Sequence, residues 1–154
     1  MGKAGVCLPF VLSDADLDGC FMEIEYREVK EFSAEQLEEL FLSVGWESGK
    51  YPDKLARAMR RSSHVISAWE NSRLIGLLRS LDDGETVAFL HYLLVHPAYQ
   101  GRHIGTGLME RMLHRYTDML HIKIMPSNPK TIPFYQKFGF QQYENYTAME
   151  IMRL

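Results

Sequence analysis

Cysteine is scarce. Cys7 and Cys20 are the only two in 154 residues, too few for a disulfide framework, and no cysteine or histidine cluster has the spacing of a zinc site. Such a chain suits a reducing, cytoplasmic setting, and no metal is expected. No apolar run approaches the ~18 residues that span a bilayer. Basic residues are not in excess either. Seventeen Lys and Arg against twenty Asp and Glu give a net charge of −3, without the broad positive field that nucleic acid or an anionic membrane requires. Neither of those partners is expected. The Gly-Lys-Ser/Thr ending of a P-loop is missing, and Gly101, Gly105 and Gly107 do not fall at the G-x-G-x-x-G spacing of a dinucleotide fingerprint. Internal repeats and low-complexity segments are also lacking.

The first 21 residues read differently from the rest. Their apolar stretch, Val6 to Leu12, is interrupted by Pro9 and followed by Asp14, Asp16 and Asp18, which makes a poor signal peptide. Gly2 invites myristoylation, but Val6 stands where Ser or Thr is wanted. Residues 1–21 are therefore read as an extension, either a non-native addition or an N-terminal arm that packs or exchanges, and residues 22–154 as a single domain. A chain of this length buries about two thirds of its unfolded surface.

The segment Glu23 to Val29 alternates like a first strand. Ser33-Ala-Glu-Gln36 is a capping box, with Leu37, Leu40, Phe41 and Val44 following at helical spacing and Gly45 ending the helix. Pro52, with Asp53 beside it, starts a second helix through Arg61. His64–Trp69, Arg73–Leu81 and Thr86–Val95 form a three-strand meander around Glu70-Asn71-Ser72 and Asp83-Gly84. Ile104, Leu108, Met109, Met112, Leu113 and Tyr116 make the apolar stripe of the next helix, which a strand over Met119–Met125 follows. Thr131–Lys137 is a short helix capped by Gly139, and Phe140–Arg153 offers two last strands. The order is that of a mixed α/β sheet.

The most telling stretch is residues 91–116, in which an apolar strand passes through a Pro and Gly loop directly into an amphipathic helix. The loop's backbone N–H groups and those of the first helical turn converge on one point, where the helix dipole favours negative charge. Gly105 and Gly107 allow close approach and Arg102 adds a cation, so a phosphate-bearing ligand is expected there.

A second motif lies about 20 residues beyond that helix: Asn128, then Phe134-Tyr135-Gln-Lys-Phe-Gly-Phe140, with Asn128 seven residues before Tyr135. Together the two segments resemble the GNAT superfamily of acetyl-coenzyme A (acetyl-CoA) dependent N-acetyltransferases. Aligned from Gln100, the glycines of the family's Q/R-x-x-G-x-G/A loop fall on His103 and Gly105; aligned from Arg102, they fall on Gly105 and Gly107. The Gln100 register keeps the usual distance from Val95-His96-Pro97 and makes His103 a departure from the pattern. The resemblance spans roughly residues 22–154. It implies the GNAT acyltransferase fold, a single mixed, centrally splayed sheet of about six to seven strands flanked by about four helices.

The resemblance also implies roles. The backbone of Leu93, Leu94 and Val95 would meet the pantetheine arm and the thioester oxygen. Gln100, Gly101, Arg102, His103, Ile104, Gly105 and Thr106 would hold the pyrophosphate, and Asn128 would reach the pantetheine. Tyr135 would be the general acid that protonates the departing thiolate, or a packing residue bonded to the ligand. The pattern around His91 is similar to the serotonin N-acetyltransferase branch, where a strand histidine helps deprotonate the amine through water, although that branch's other strand histidine is Phe89 here. Two residues before Leu93, His91 is expected on the same sheet face. A buried structural histidine is the plainer reading, with Glu47 or water as fallback bases. Trp46, Glu47 and Tyr51 make an aromatic and acidic loop suited to an amine, or else Trp46 and Tyr51 plug the core edge.

The expected activity is transfer of an acetyl group from acetyl-CoA to a primary amine on a small molecule, in a ternary complex. A protein or peptide acceptor, a non-catalytic acetyl-CoA sensor and a nucleotide-binding module are the alternatives. A homodimer through the last strands is compatible with the resemblance.

Overall fold

The computed structural model describes residues 23–153, and the extension expected over 1–21 lies outside them. Five strands form one sheet in the order β1-β2-β3-β4-β5. They are β1 (Ile24–Glu28), β2 (His64–Glu70), β3 (Arg73–Asp82), β4 (Val87–Val95) and β5 (His121–Ile124). The first three pairings are antiparallel, and β4 with β5 is parallel. The helices are α1 (Ala34–Ser43), α2 (Pro52–Arg61), α3 (Ile104–His114) and α4 (Ile132–Gln136), with 3-10 turns at Glu47–Lys50, Pro97–Tyr99 and Pro129–Thr131. Among the described residues no helix is long and apolar enough to cross a membrane.

Each helix begins where its local chemistry directs. The Ser33 hydroxyl accepts from the Gln36 N–H at 3.2 Å, and the Gln36 side chain accepts from the Ser33 N–H at 3.0 Å, which closes the capping box of α1. Pro52 occupies the first turn of α2. The apolar stripes then face opposite sides of the sheet. Leu37, Leu40 and Phe41 of α1 and Leu55 and Met59 of α2 pack with Val65, Leu77 and Leu94 in one core. Ile104, Leu108, Met109 and Met112 of α3 pack with Ile66, Leu78 and Leu90 in the other. The β2–β3 hairpin turns on Asn71-Ser72, with Asn71 left-handed at φ 55°.

The sheet has five strands, fewer than the six to seven expected. Phe140–Arg153 forms no strand. Tyr143, Tyr146 and Met149 are 64%, 79% and 90% exposed, so these apolar residues have neither a ladder partner nor a core to face. Strand preference expresses packing against neighbours more than backbone tendency, and apolar spacing alone does not supply a neighbour. The expected strand Met119–Met125 contracts to His121–Ile124, because the Met119 N–H still bonds the Tyr116 carbonyl at the end of the preceding turn.

Candidate active site

β5 pairs with β4 only from Val87↔His121 to Leu90↔Ile124, whereas β4 runs on to Val95 against β3 alone. The sheet therefore opens beyond Leu90. In the same region β3 pairs Arg79 with His91 but Leu77 with Leu94, so two steps on β3 face three on β4. This is a β-bulge, and Tyr92 within it is left-handed at φ 60°.

The bulge corrects the expected facing of His91. Two-residue spacing would put His91 and Leu93 on one face, but the extra residue breaks that parity. Tyr92 packs into the α1–α2 core and Leu93 into the α3 core. The His91 ring lies against Tyr92, centroids 3.8 Å apart, and against Phe89 at 5.7 Å. His91 thus goes with Tyr92 and not with Leu93.

On the α3 side, the loop after β4 ends in an open helix terminus. Gly101 has φ 80°, and His103, the residue before α3, is left-handed at φ 59° and caps nothing with its side chain. The left-handed backbone explains why a glycine is usual at this place. The first intrahelical bond goes from the Gly107 N–H to the His103 carbonyl, 3.0 Å. The N–H groups of Ile104, Gly105 and Thr106 thus have no intrahelical acceptor, and the dipole's positive end adds to them. The Gln100 side chain donates to the Val95 carbonyl at 3.1 Å, tying loop to strand. Arg102 reaches Glu70 at 3.4 Å, which partly neutralises it. The two loop glycines differ. A Cβ on Gly105 would make ordinary contact with Phe134 at 3.6 Å, whereas one on Gly107 would stand 2.3 Å from the Tyr26 hydroxyl. The absence of a side chain at Gly107 is thus accounted for by packing.

Asn128 begins the 3-10 turn before α4, its Oδ1 accepting from the Lys130 N–H at 3.0 Å, and its amide NH2 makes no hydrogen bond to the described residues. Tyr135 packs against the α3 core with its ring edge-on to Phe134 at 5.1 Å. Its hydroxyl makes no hydrogen bond to the described residues, and burial raises its pKa above the ordinary phenol value. The hydroxyl therefore keeps its proton at neutral pH, as an acid must.

On the α1–α2 side, Trp46 meets Phe41 edge-on at 6.0 Å and Tyr92 at 5.7 Å. Arg79 lies over the Tyr92 ring at 4.7 Å and donates from Nη2 to Nδ1 of His91 at 2.9 Å. Burial, and then the Arg79 charge, lower the His91 pKa to about 4. Arginine has no lone pair to offer, so Nδ1 is the acceptor and the neutral ring carries its proton on Nε2. Glu47 pairs with Lys50 at 2.8 Å, and Tyr51 is exposed with Lys54 5.4 Å from its ring, so neither packs onto the Trp46–Tyr92–His91 cluster. Sequence reasoning missed Arg79 and Tyr92. The signal for Arg79 was a lone cation inside the apolar run Leu74–Leu81; a left-handed Tyr92 leaves no comparable mark.

No group of three His, Cys, Asp or Glu among the described residues is placed to hold a metal ion. The acetyltransferase (GNAT) family model matches residues 29–140. An uncharacterized N-acetyltransferase, ycf52, of Porphyra purpurea is 32% identical over 136 residues, 80% of this chain and 76% of the relative. The histone acetyltransferase TAP1 of Glycine max is 28% identical over 146 residues, 86% of this chain and 62% of the relative. A solved GNAT family acetyltransferase from Streptococcus pneumoniae TIGR4 has a similar fold, with a TM-score of 0.71 at 24% identity over 86% of this chain and 98% of that one. The chain belongs to the acetyltransferase (GNAT) family. It is an acyltransferase, and the cosubstrate of its family is acetyl-CoA.

Proposed function

We propose that this enzyme acetylates a primary amine on a small molecule by direct attack within a ternary complex, in the cytoplasm. The observation that carries the reading is the opening of the sheet beyond Leu90 and Ile124. On one side of the sheet lie Tyr135 and the uncapped start of α3; on the other lie His91, Tyr92 and Trp46.

Acetyl-CoA, when bound, supplies an activated acetyl thioester. The left-handed Gly101 and His103 and the three N–H groups of Ile104, Gly105 and Thr106, which have no intrahelical acceptor, fit a pyrophosphate, with Gln100 and Arg102 flanking them. The backbone of Leu93, Leu94 and Val95 would hold the pantetheine, and an N–H among them that met the thioester oxygen would contribute roughly 3–4 kcal/mol. Asn128 donates its amide to the same arm. Tyr135 gives its hydroxyl proton to the departing sulfur. Trp46, with Glu47 and Tyr51 on the adjoining turn, lines the approach of the amine. His91 takes the amine's proton through water once Arg79 releases Nδ1.

The name of the TAP1 relative favours a second reading, transfer to a protein or peptide amine. One experiment separates the two. Thiol release from acetyl-CoA is followed with arylalkylamines, polyamines, amino acids and short peptides, for the wild type and Tyr135→Phe. Release with small amines is expected, lowered about ten-fold or more by Tyr135→Phe with coenzyme affinity unchanged. Release with peptides alone establishes the second reading, and equal turnover in the variant removes the acid role.

A further inference from the structure

We infer that Arg79 recognises an anionic group on the acceptor, so that the acetylated amine belongs to a small molecule that also bears a carboxylate. The inference rests on the acyl-transfer reading and names the acceptor class within it. Arg79 stands directly across the ladder from His91, at the level where β4 loses β5. Its guanidinium is half-buried against the Tyr92 ring and donates from Nη2, at 2.9 Å, and from Nε, at 3.3 Å, to the single Nδ1 of His91. Nη1 makes no hydrogen bond to the described residues, and no carboxylate among them lies within ion-pair distance of Arg79. Five other arginines are differently placed, and Arg111, over the Tyr26 ring, donates to the Gly107 carbonyl. Arg27, Arg60, Arg73, Arg102 and Arg115 each face a glutamate.

A cation held partly out of water with only a neutral imidazole and a ring face for company is poorly compensated, because buried charge is ordinarily paired with charge. A carboxylate supplies that pairing. The guanidinium is a planar fork that takes a carboxylate through two parallel N–H bonds, and the Nε–Nη2 edge now shared by one His91 nitrogen is such an edge. Taking it displaces the imidazole and returns the Nδ1 lone pair, so recognition of the anion and release of His91 as a proton acceptor are a single event. A neutral amine leaves the Arg79–His91 bond closed, and a polyamine meets a like charge. Glu47 does not offset this, since Lys50 already pairs with it.

The test uses the standard amino acids and their carboxamides, matched pairs that differ only at the carboxylate. Binding to the full-length enzyme with coenzyme A present is measured by calorimetry, and thiol release from acetyl-CoA in parallel, for the wild type, Arg79→Gln and Arg79→Lys. At least one amino acid is expected to bind the wild type about ten- to a hundred-fold more tightly than its carboxamide. Arg79→Gln should bring that ratio close to one, and Arg79→Lys should restore part of it. The inference is overturned if no amino acid is preferred to its carboxamide, or if Arg79→Gln weakens both members of a pair equally. Carboxylate-selective binding without thiol release would overturn the acetyl-transfer reading and leave the recognition role of Arg79 standing.

Discussion

At His91, burial and the Arg79 charge bring the imidazole to a pKa of about 4, against about 6.5 in an open chain. Between those values the unfolded chain binds the proton and the folded one does not. His91 therefore contributes stability that is complete above about pH 6.5 and is lost as pH falls toward about 4. Over that window the wild type should lose stability relative to His91→Gln. NMR titration of the ring should give a midpoint near 4, with the proton on Nε2 at neutral pH; a midpoint near 6.5 would contradict the Arg79 contact. What was legible at this scale follows from locality. Asn128 and Tyr135 sit at fixed spacing in one short segment, and the structure keeps them in a turn and the helix that follows it. The Arg79–His91 pair joins residues twelve apart on two strands. Its existence depends on strand register, which no local pattern states.

Elements carry the next level of constraint. β1 and α3 cross where the Tyr26 ring covers Gly107, with the Arg111 guanidinium 3.8 Å from the ring centroid. Gly107→Ala should cost about 1–3 kcal/mol by overpacking, even though alanine is the better helix former. Urea unfolding of Gly107→Ala, Tyr26→Ala and the double variant checks this: the alanine at 107 should be tolerated, or even favourable, once the ring is removed. A Gly107→Ala protein as stable as the wild type, but deficient in acetyl-CoA binding, would instead assign that glycine to the ligand. The capping box, Pro52 and the stripe of α3 were legible because a helix largely carries its signals within itself. The last two expected strands were not, since a strand exists only if another lies beside it, and Phe140–Arg153 has none. The bulge escaped for a related reason: an extra residue in β4 has meaning only against the count on β3.

In the whole molecule, one sheet separates two cores, with the proposed coenzyme site on the α3 side and the proposed acceptor site on the α1–α2 side. Neither ligand then has to leave for the other to arrive. Initial velocities measured against both substrates should give intersecting double-reciprocal lines; parallel lines would signal a covalent acetyl-enzyme and reject direct attack. The α/β class, one mixed sheet and four flanking helices were legible from the order of periodic segments. The correspondence of face to ligand was not, because it turns on Tyr92. That residue can also be viewed as an insertion. β4 holds one more residue than β3 accounts for, so a comparison with a straight-stranded relative needs a single-residue gap inside a strand. Aligned without the gap, each position on one side of Tyr92 is matched to a residue that faces the opposite way. By the same reasoning, an in-frame deletion of the Tyr92 codon restores an even ladder, with Leu78 opposite Leu93, and leaves His91 and Leu93 on the faces they now occupy, removing only the Tyr92 ring from the α1–α2 core.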